Sequence, residues 1–321
     1  MNRQSLVTLT ALLRRELWES PVAFKWTPLA IGALIVIFAV VALMVGARFD
    51  AGMAFTNDAI RLFSEQPLDE RRFVVSGLMF SFATIFFQLM ILIILFYLAG
   101  SLFDDRKDRS ILFWKSLPVS DRMTVASKIV TASVLIPGLF LIAIALTQLA
   151  LLVIASGYSL SAGVNPFTTV WLPASLPRLW TVMALGLVVQ ALWLMPIYAW
   201  LVFCSSWAPR LPILIAIAIP AGIAIVQHSW SMVTRFQMPE FNIGLIMLKR
   251  LGSGVLPMSA NVDFSDSGSR LTDISFDDDL FMSFSHVFSH FGKAEMWIGL
   301  AIAGILLAAA TWFRRRATDN A

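Results

Sequence analysis

Charge is scarce in this 321-residue chain: Asp, Glu, Lys and Arg together make up 14% of it, where an ordinary soluble domain has about 25%. With 58% apolar residues and a mean hydropathy of +0.79, a soluble globule is excluded. Cysteine is almost missing as well. Cys204 stands alone, so no intrachain disulfide and no stapled module can form, and its expected role is packing inside a span. Histidine is rare, and although His286 and His290 have a chelating spacing near Asp277, Asp278 and Asp279, the H-E-x-x-H order is missing. That pair is read as a helix face, and Asp263, Asp266 and Gly268 lack EF-hand spacing, so no metal site is assigned. No G-x-x-x-x-G-K-[ST] run, nucleotide-binding glycine motif or Ser, His and Asp constellation occurs. The net charge of +4 is spread between apolar runs instead of gathered on one face, which speaks for membrane topology and against a nucleic-acid partner.

What is present is a series of uncharged apolar runs at 28–47, 77–103, 129–156, 179–204, 211–227 and 296–313. A membrane-crossing helix needs about 20 residues, so the expected fold is an all-α integral membrane protein, one domain over 1–321 with six transmembrane helices. The second and third runs are long enough to tilt or project, and the fifth, holding Pro212 and Pro220, is the least regular. Residues 1–27 lack a short apolar core with a small-residue cleavage site and are expected to remain on the mature protein. Six spans put both termini on one side, together with 104–128 and 205–210. This group holds 14 of the 24 Lys and Arg residues, although it is little more than half as long as segments 48–76, 157–178 and 228–295 combined. By the positive-inside rule it is cytoplasmic, so both termini are expected in the cytoplasm.

Three stretches outside the spans carry the functional information. Leu6, Leu9, Leu13 and Leu17 recur at helical spacing while Arg14, Arg15 and Glu19 lie off that stripe, which predicts an amphipathic helix along the membrane interface. It serves as an anchor or as a lever to a cytoplasmic partner. The loop 104–128 places charges of both signs around the apolar patch Ile111–Trp114. Pro118 ends any helix at or near Leu117, and Ser120 with Asp121 is suited to start the next one. An aromatic tip with an ionic rim is the composition of a docking knob. In the outer segment 228–295, Pro239 and Glu240 open and Lys249 and Arg250 close a helix of about a dozen residues, too short to cross. Its stripe of Phe241, Leu245 and Leu248 predicts an interfacial or re-entrant cap, with Lys249 and Arg250 among headgroups. Residues 257–279 read as a polar loop, and Phe281, Phe284, Phe288 and Phe291 as a packing stripe.

The run Asp108, Arg109, Ser110, Ile111, Leu112, Phe113, Trp114, Lys115, Ser116, Leu117, Pro118, Val119, Ser120, Asp121, Arg122, ending at Lys128, resembles the first cytoplasmic loop of type-2 ABC exporter permeases. Those proteins show an acidic and basic cluster, a small residue, a Leu-x-x-Pro-like turn, and a Lys entering the third span. The Gly-Thr pair frequent in that loop is replaced here by Arg109 and Ser110. The resemblance is sharp over about 25 residues; the interfacial helix and six spans also fit. It implies that 104–128 is a coupling helix docking on separate ATPase subunits through Arg109, Ile111, Phe113, Trp114, Lys115, Leu117 and Arg122. It further implies a second permease copy or paralogue, export from the plasma (inner) membrane, re-entrant outer helices, and ATP and Mg held by the partner, with no cofactor and no catalytic residue in this chain.

Two other readings stay open at this stage, a stand-alone carrier or channel and a membrane protein that recruits a partner without transport. The spans contain no Asp, Glu, His, Lys or Arg, which argues against a proton-driven carrier. Gln88, Gln148, Gln190 and Gln227 are their amides. The first three are candidates for the substrate path, with interhelical glue as the competing role.

Overall fold

The computed structural model describes residues 3–47, 50–108, 119–234, 243–255 and 284–316, and every regular element among them is helical. Helix α1 (Arg3–Glu19) leads through a π-helical turn at Val22–Trp26 into α2 (Thr27–Ala47). Then come α3 (Asp50–Glu65), α4 (Leu68–Gly100) and α5 (Phe103–Lys107). Helices α6 (Asp121–Val130) and α7 (Ile136–Ser161) are joined end to end by a π-helical turn at Thr131–Leu135. A third such turn, Phe167–Trp171, and the single-turn α8 (Leu172–Ala174) precede α9 (Leu176–Trp207). After them come α10 (Pro212–Thr234), α11 (Ile243–Val255), α12 (Phe284–Ser289) and α13 (Ala294–Arg316).

Six stretches are long and apolar enough to cross a membrane: Val22–Val45, Leu68–Lys107, Asp121–Ser161, Phe167–Trp207, Pro212–Trp230 and Ala294–Arg316. This is the architecture of a multi-pass membrane protein. All six apolar runs of the sequence are recovered, but the second, third and fourth helical stretches reach 40, 41 and 41 residues. At about 1.5 Å per residue they exceed a hydrocarbon core of about 30 Å and continue beyond it. Hydropathy marks only the stretch facing lipid, whereas the helix runs on wherever its end is capped. At one such end Ser120 Oγ accepts the Met123 N–H at 3.3 Å, as expected from the sequence, and Asp121 sits in the first turn.

One helix escapes the sequence pattern. In α3, Asp50, Asn57, Asp58 and Arg61 interrupt a short apolar stripe, yet Phe63 packs on the core and Arg61 Nε donates to the Ala162 carbonyl at 2.9 Å. It thereby covers the connection that leaves α7, with Phe55 and Leu62 turned outward. Of the expected Phe stripe, Phe281 lies outside the described residues, Phe291 packs on the core and Phe288 is 52% exposed, while Val287 takes an inside position.

The centre of the bundle is α9, apolar all round and therefore buried on most sides, with Leu179, Met183, Leu194, Tyr198 and Val202 enclosed. Its most extensive packing is against α13, with α4, α10 and α11 around it. Pro196 and Pro220 lie inside α9 and α10 without ending them, and Trp200 Nε1 ties these two helices through the Ala216 carbonyl at 2.9 Å. The turn between them places Leu211 at φ 44°. Peripheral α2 faces outward with Leu34, Ile37 and Phe38. On its inner side Gly32 lies so close to Thr147 of α7 that a methyl group there would collide with Thr147 Oγ1. Small residues of this kind let helices approach where lipid supplies no hydrophobic drive.

This contact generates a stability prediction. Gly32→Val overpacks the α2–α7 contact and costs about 1–3 kcal/mol, seen as a lower melting temperature of the purified protein in mild detergent. Adding Thr147→Ala restores part of the loss. Gly138→Val, at a position with nothing within 4 Å, changes little.

Candidate functional site

All four buried charged residues among the described ones, Glu16, Asp105, Lys128 and Arg314, meet at the end of the bundle where α1 and the end of α13 lie. A charge withdrawn from water is tolerated only beside a counter-charge, so their convergence is itself the organising fact. Lys128 Nζ sits 2.8 Å from Glu16 Oε1 and 2.9 Å from Oε2, bridging the carboxylate. Tyr97 of α4 donates its hydroxyl to Glu16 Oε2 at 2.7 Å, and the Lys128 ammonium lies 5.7 Å from the centre of the Tyr97 ring. Beside this triad, Asp105 receives two arginines: Arg15 at Oδ1 and Arg314 at Oδ2, each at 3.2 Å. Arg314 Nε also approaches Asp121 Oδ1 at 3.2 Å.

Local structure explains why these groups can meet. Helix α4 ends at Gly100, and Ser205 Oγ of α9 accepts the Leu102 and Phe103 N–H groups, each at 3.0 Å, holding the bend that starts α5. Arg106 then binds the end of α9 through the Ser205 and Ala208 carbonyls at 2.7 and 2.9 Å. Arg314 occupies the last turn of α13 and Asp121 the first turn of α6, the ends at which a helix favours those signs. Burial works against the charge of Arg15, but its hydrogen bond to Glu19 and the Glu19, Asp105 and Glu16 charges outweigh that, holding its pKa above the ordinary value.

Of the residues assigned to docking, Arg109, Ile111, Phe113, Trp114, Lys115 and Leu117 lie outside the described residues. Arg122 is exposed in the first turn of α6. What the structure gives is the foundation of that loop. Asp105 precedes the segment 109–118 and Asp121 follows it, and Arg314 binds both.

The glutamines do not form one site. Gln148 donates to the Met79 carbonyl at 3.2 Å and accepts from Trp180 Nε1 at 2.8 Å. It joins α4, α7 and α9, which is interhelical glue. Gln190 donates to the Gly254 carbonyl at 2.6 Å and fastens α11 to α9. Gln227 accepts from the Ile243 N–H at 3.2 Å, while Gln88 faces outward on α4. In the outer segment Phe241 lies outside the described residues, and Leu245 and Leu248 are 53% and 65% exposed. Among the described residues the helix covers Ile243–Val255; Met247 and Leu251 pack on the core and Gly254 lies against Leu194 of α9.

Arg250 departs from the expected headgroup position. Its Nε donates to the Trp193 carbonyl at 2.6 Å, its guanidinium lies 4.5 Å from the centre of the Trp193 ring, and Gly299 of α13 leaves the space for it. Adjacent positions on a helix point about 100° apart, so Lys249 does not share this slot. Burial pushes the Arg250 pKa down, and Glu295 works against that shift.

The sequence pattern missed the pairing of Glu16 with Lys128 and of Asp105 with Arg314. A signal was present in Glu16, an acid one position from Leu17 and four from the buried Leu12, inside the apolar arc of α1. Lys128 sits likewise at the mouth of an apolar run.

Breaking one side of this cluster leaves the other charge buried. Lys128→Met therefore destabilises the protein by about 3–5 kcal/mol, while the double variant Glu16→Leu, Lys128→Met regains part of the loss, because an apolar pair of similar volume replaces the ion pair and leaves no buried charge alone, only the Tyr97 hydroxyl without its acceptor. Melting curves of the three purified proteins in one detergent check this. A double variant as unstable as Lys128→Met would contradict it.

Comparisons of the chain with protein-family models, with curated protein sequences and with solved structures find no match.

Proposed function

We propose that this chain is the permease subunit of an ATP-driven ABC exporter in the plasma (inner) membrane, forming the substrate path and dimerising with itself or a paralogue. ATP and Mg are held by separate cytoplasmic ATPase subunits, on which the loop 104–128 docks through Arg109, Ile111, Phe113, Trp114, Lys115, Leu117 and Arg122. The observation that carries this reading is the double attachment of segment 109–118, whose flanking Asp105 and Asp121 are both bound by Arg314. A loop meant only to connect two spans needs no buried charges at its base, whereas a loop that transmits force needs a stiff one. Through Arg15 and Lys128 the same base reaches α1 and the start of the third span. Movement of the docked loop is then passed to α1, α4, α6–α7 and α13 together, which is rigid-body coupling.

Two measurements test the proposal. Purification of the tagged chain in mild detergent brings down an ATPase subunit, and Trp114→Ala weakens that association by about 2 kcal/mol, or about thirtyfold, as a central aromatic anchor does. Retention of full association and coupled ATP hydrolysis by Trp114→Ala would remove Trp114 from the docking surface. The second measurement concerns orientation: cysteines at Asp58, Asn165 and Ser267 react with an impermeant thiol reagent in intact cells and one at Ser110 does not. The opposite pattern would invert the topology and place the loop out of reach of any cytoplasmic ATPase.

A further inference from the structure

Of the four span glutamines, three have hydrogen-bond partners within the chain. Gln88 has none among the described residues, and it is exposed on the outer side of α4. It lies twelve residues before Gly100, about 18 Å along the helix at about 1.5 Å per residue, deep in a hydrocarbon core about 30 Å thick. Two other exposed polar side chains along the spans satisfy themselves locally: Ser81 donates to Gly77 and Thr181 to Pro177, each a carbonyl of its own helix. A glutamine amide cannot do so with all its groups, and an unsatisfied amide in hydrocarbon costs several kcal/mol.

The residues around Gln88 form a continuous outward stripe, Val74, Leu78, Ser81, Ile85, Gln88, Leu92 and Phe96. Successive spacings from Val74 to Leu92 are four, three, four, three and four, the 3.5-residue period of a left-handed helix pair. Two copies in one membrane, related by an axis along its normal, present this stripe in parallel. An amide both donates and accepts, so it is complementary to itself across such an axis, and one polar residue in an otherwise apolar seam fixes register.

We propose that this face of α4 is the contact between two copies of the chain, with Gln88 of each copy hydrogen-bonded to the partner's Gln88. The proposal deepens the dimerisation named above and is independent of the ATPase. Single cysteines at Ile85, Gln88 and Leu92, with Cys204 left in place because it is fully buried, are oxidised with copper phenanthroline in native membranes. The controls are Val153→Cys on α7 and Ile305→Cys on α13, both at outward positions. Disulfide-linked dimers are expected at the α4 positions and not at the controls. In phosphatidylcholine vesicles, energy transfer between labelled copies is expected to show association weakened about tenfold by Gln88→Leu and retained by Gln88→Asn. Cross-links equal or stronger at the controls would overturn the seam. Unchanged association of Gln88→Leu would overturn the amide pairing. Modification of Gln88→Cys by a water-borne thiol reagent, without cross-linking, would assign the residue to an aqueous path instead. If no ATPase co-purifies while the α4 cross-links form, the transport reading fails and the seam stands; the reverse result removes the seam alone.

Discussion

The Lys128–Glu16 pair is the constraint around which one end of the molecule is assembled. Neither group can be left alone in a medium that solvates charge poorly, so the amphipathic first helix has to lie across the start of the third span. The Tyr97 hydroxyl completes the carboxylate shell and brings in the second span. Next to it the two arginines on Asp105 bring in the last span, and with it the other stem of the 109–118 loop. Packing elsewhere in the bundle is largely apolar, pinned at single points by Gln148, Gln190 and Trp200. This cluster is directional and fixes how the helices meet.

The first helix shows that a correct stripe leaves the opposite question, which residues meet the protein, unanswered. Its leucine stripe does predict an amphipathic helix, but the side turned into the protein carries Leu12 and Glu16, and Leu6 is 49% exposed. The inward position of Glu16 answers to Lys128, 112 residues away, a partner that the leucine spacing does not reveal. The same distance problem hides the Arg314–Asp105 contact, whose partners are 209 residues apart. Sequence periodicity carries local geometry, and it holds no record of which distant charge will share a pocket.

What was readable follows from that distinction. The six spans are local properties of composition and length, as is the Ser120 cap, and all of them are found where the residues suggest. Helix ends beyond the bilayer were less readable, because a capped helix continues through polar residues without a change that hydropathy detects. Helix α3 was hidden by polar residues that dilute its stripe. Among the candidate path residues, the amides alone say nothing about direction: Gln148 and Gln190 are consumed by carbonyls and an indole, and Gln88 points away from them. For Arg250 the error lay in treating two neighbouring cations as equivalent, when Gly299 and Trp193 form a slot that only one of them can enter.

The π-helical turn at Thr131–Leu135 gives α6 and α7 different phases. Such a turn holds one residue more than the α-helix around it, so the segment before it is rotated by about 100° relative to an uninterrupted helix. That offset lets a single rod present Lys128 to the ionic cluster at one end while Ile136, Phe140 and Ile144 enter the core farther along. In a straight α-helix the two sets of residues would compete for one orientation. The extra residue thus acts as a clutch between two faces, and losing it would swing the ammonium out of its pocket while the apolar half stayed in place.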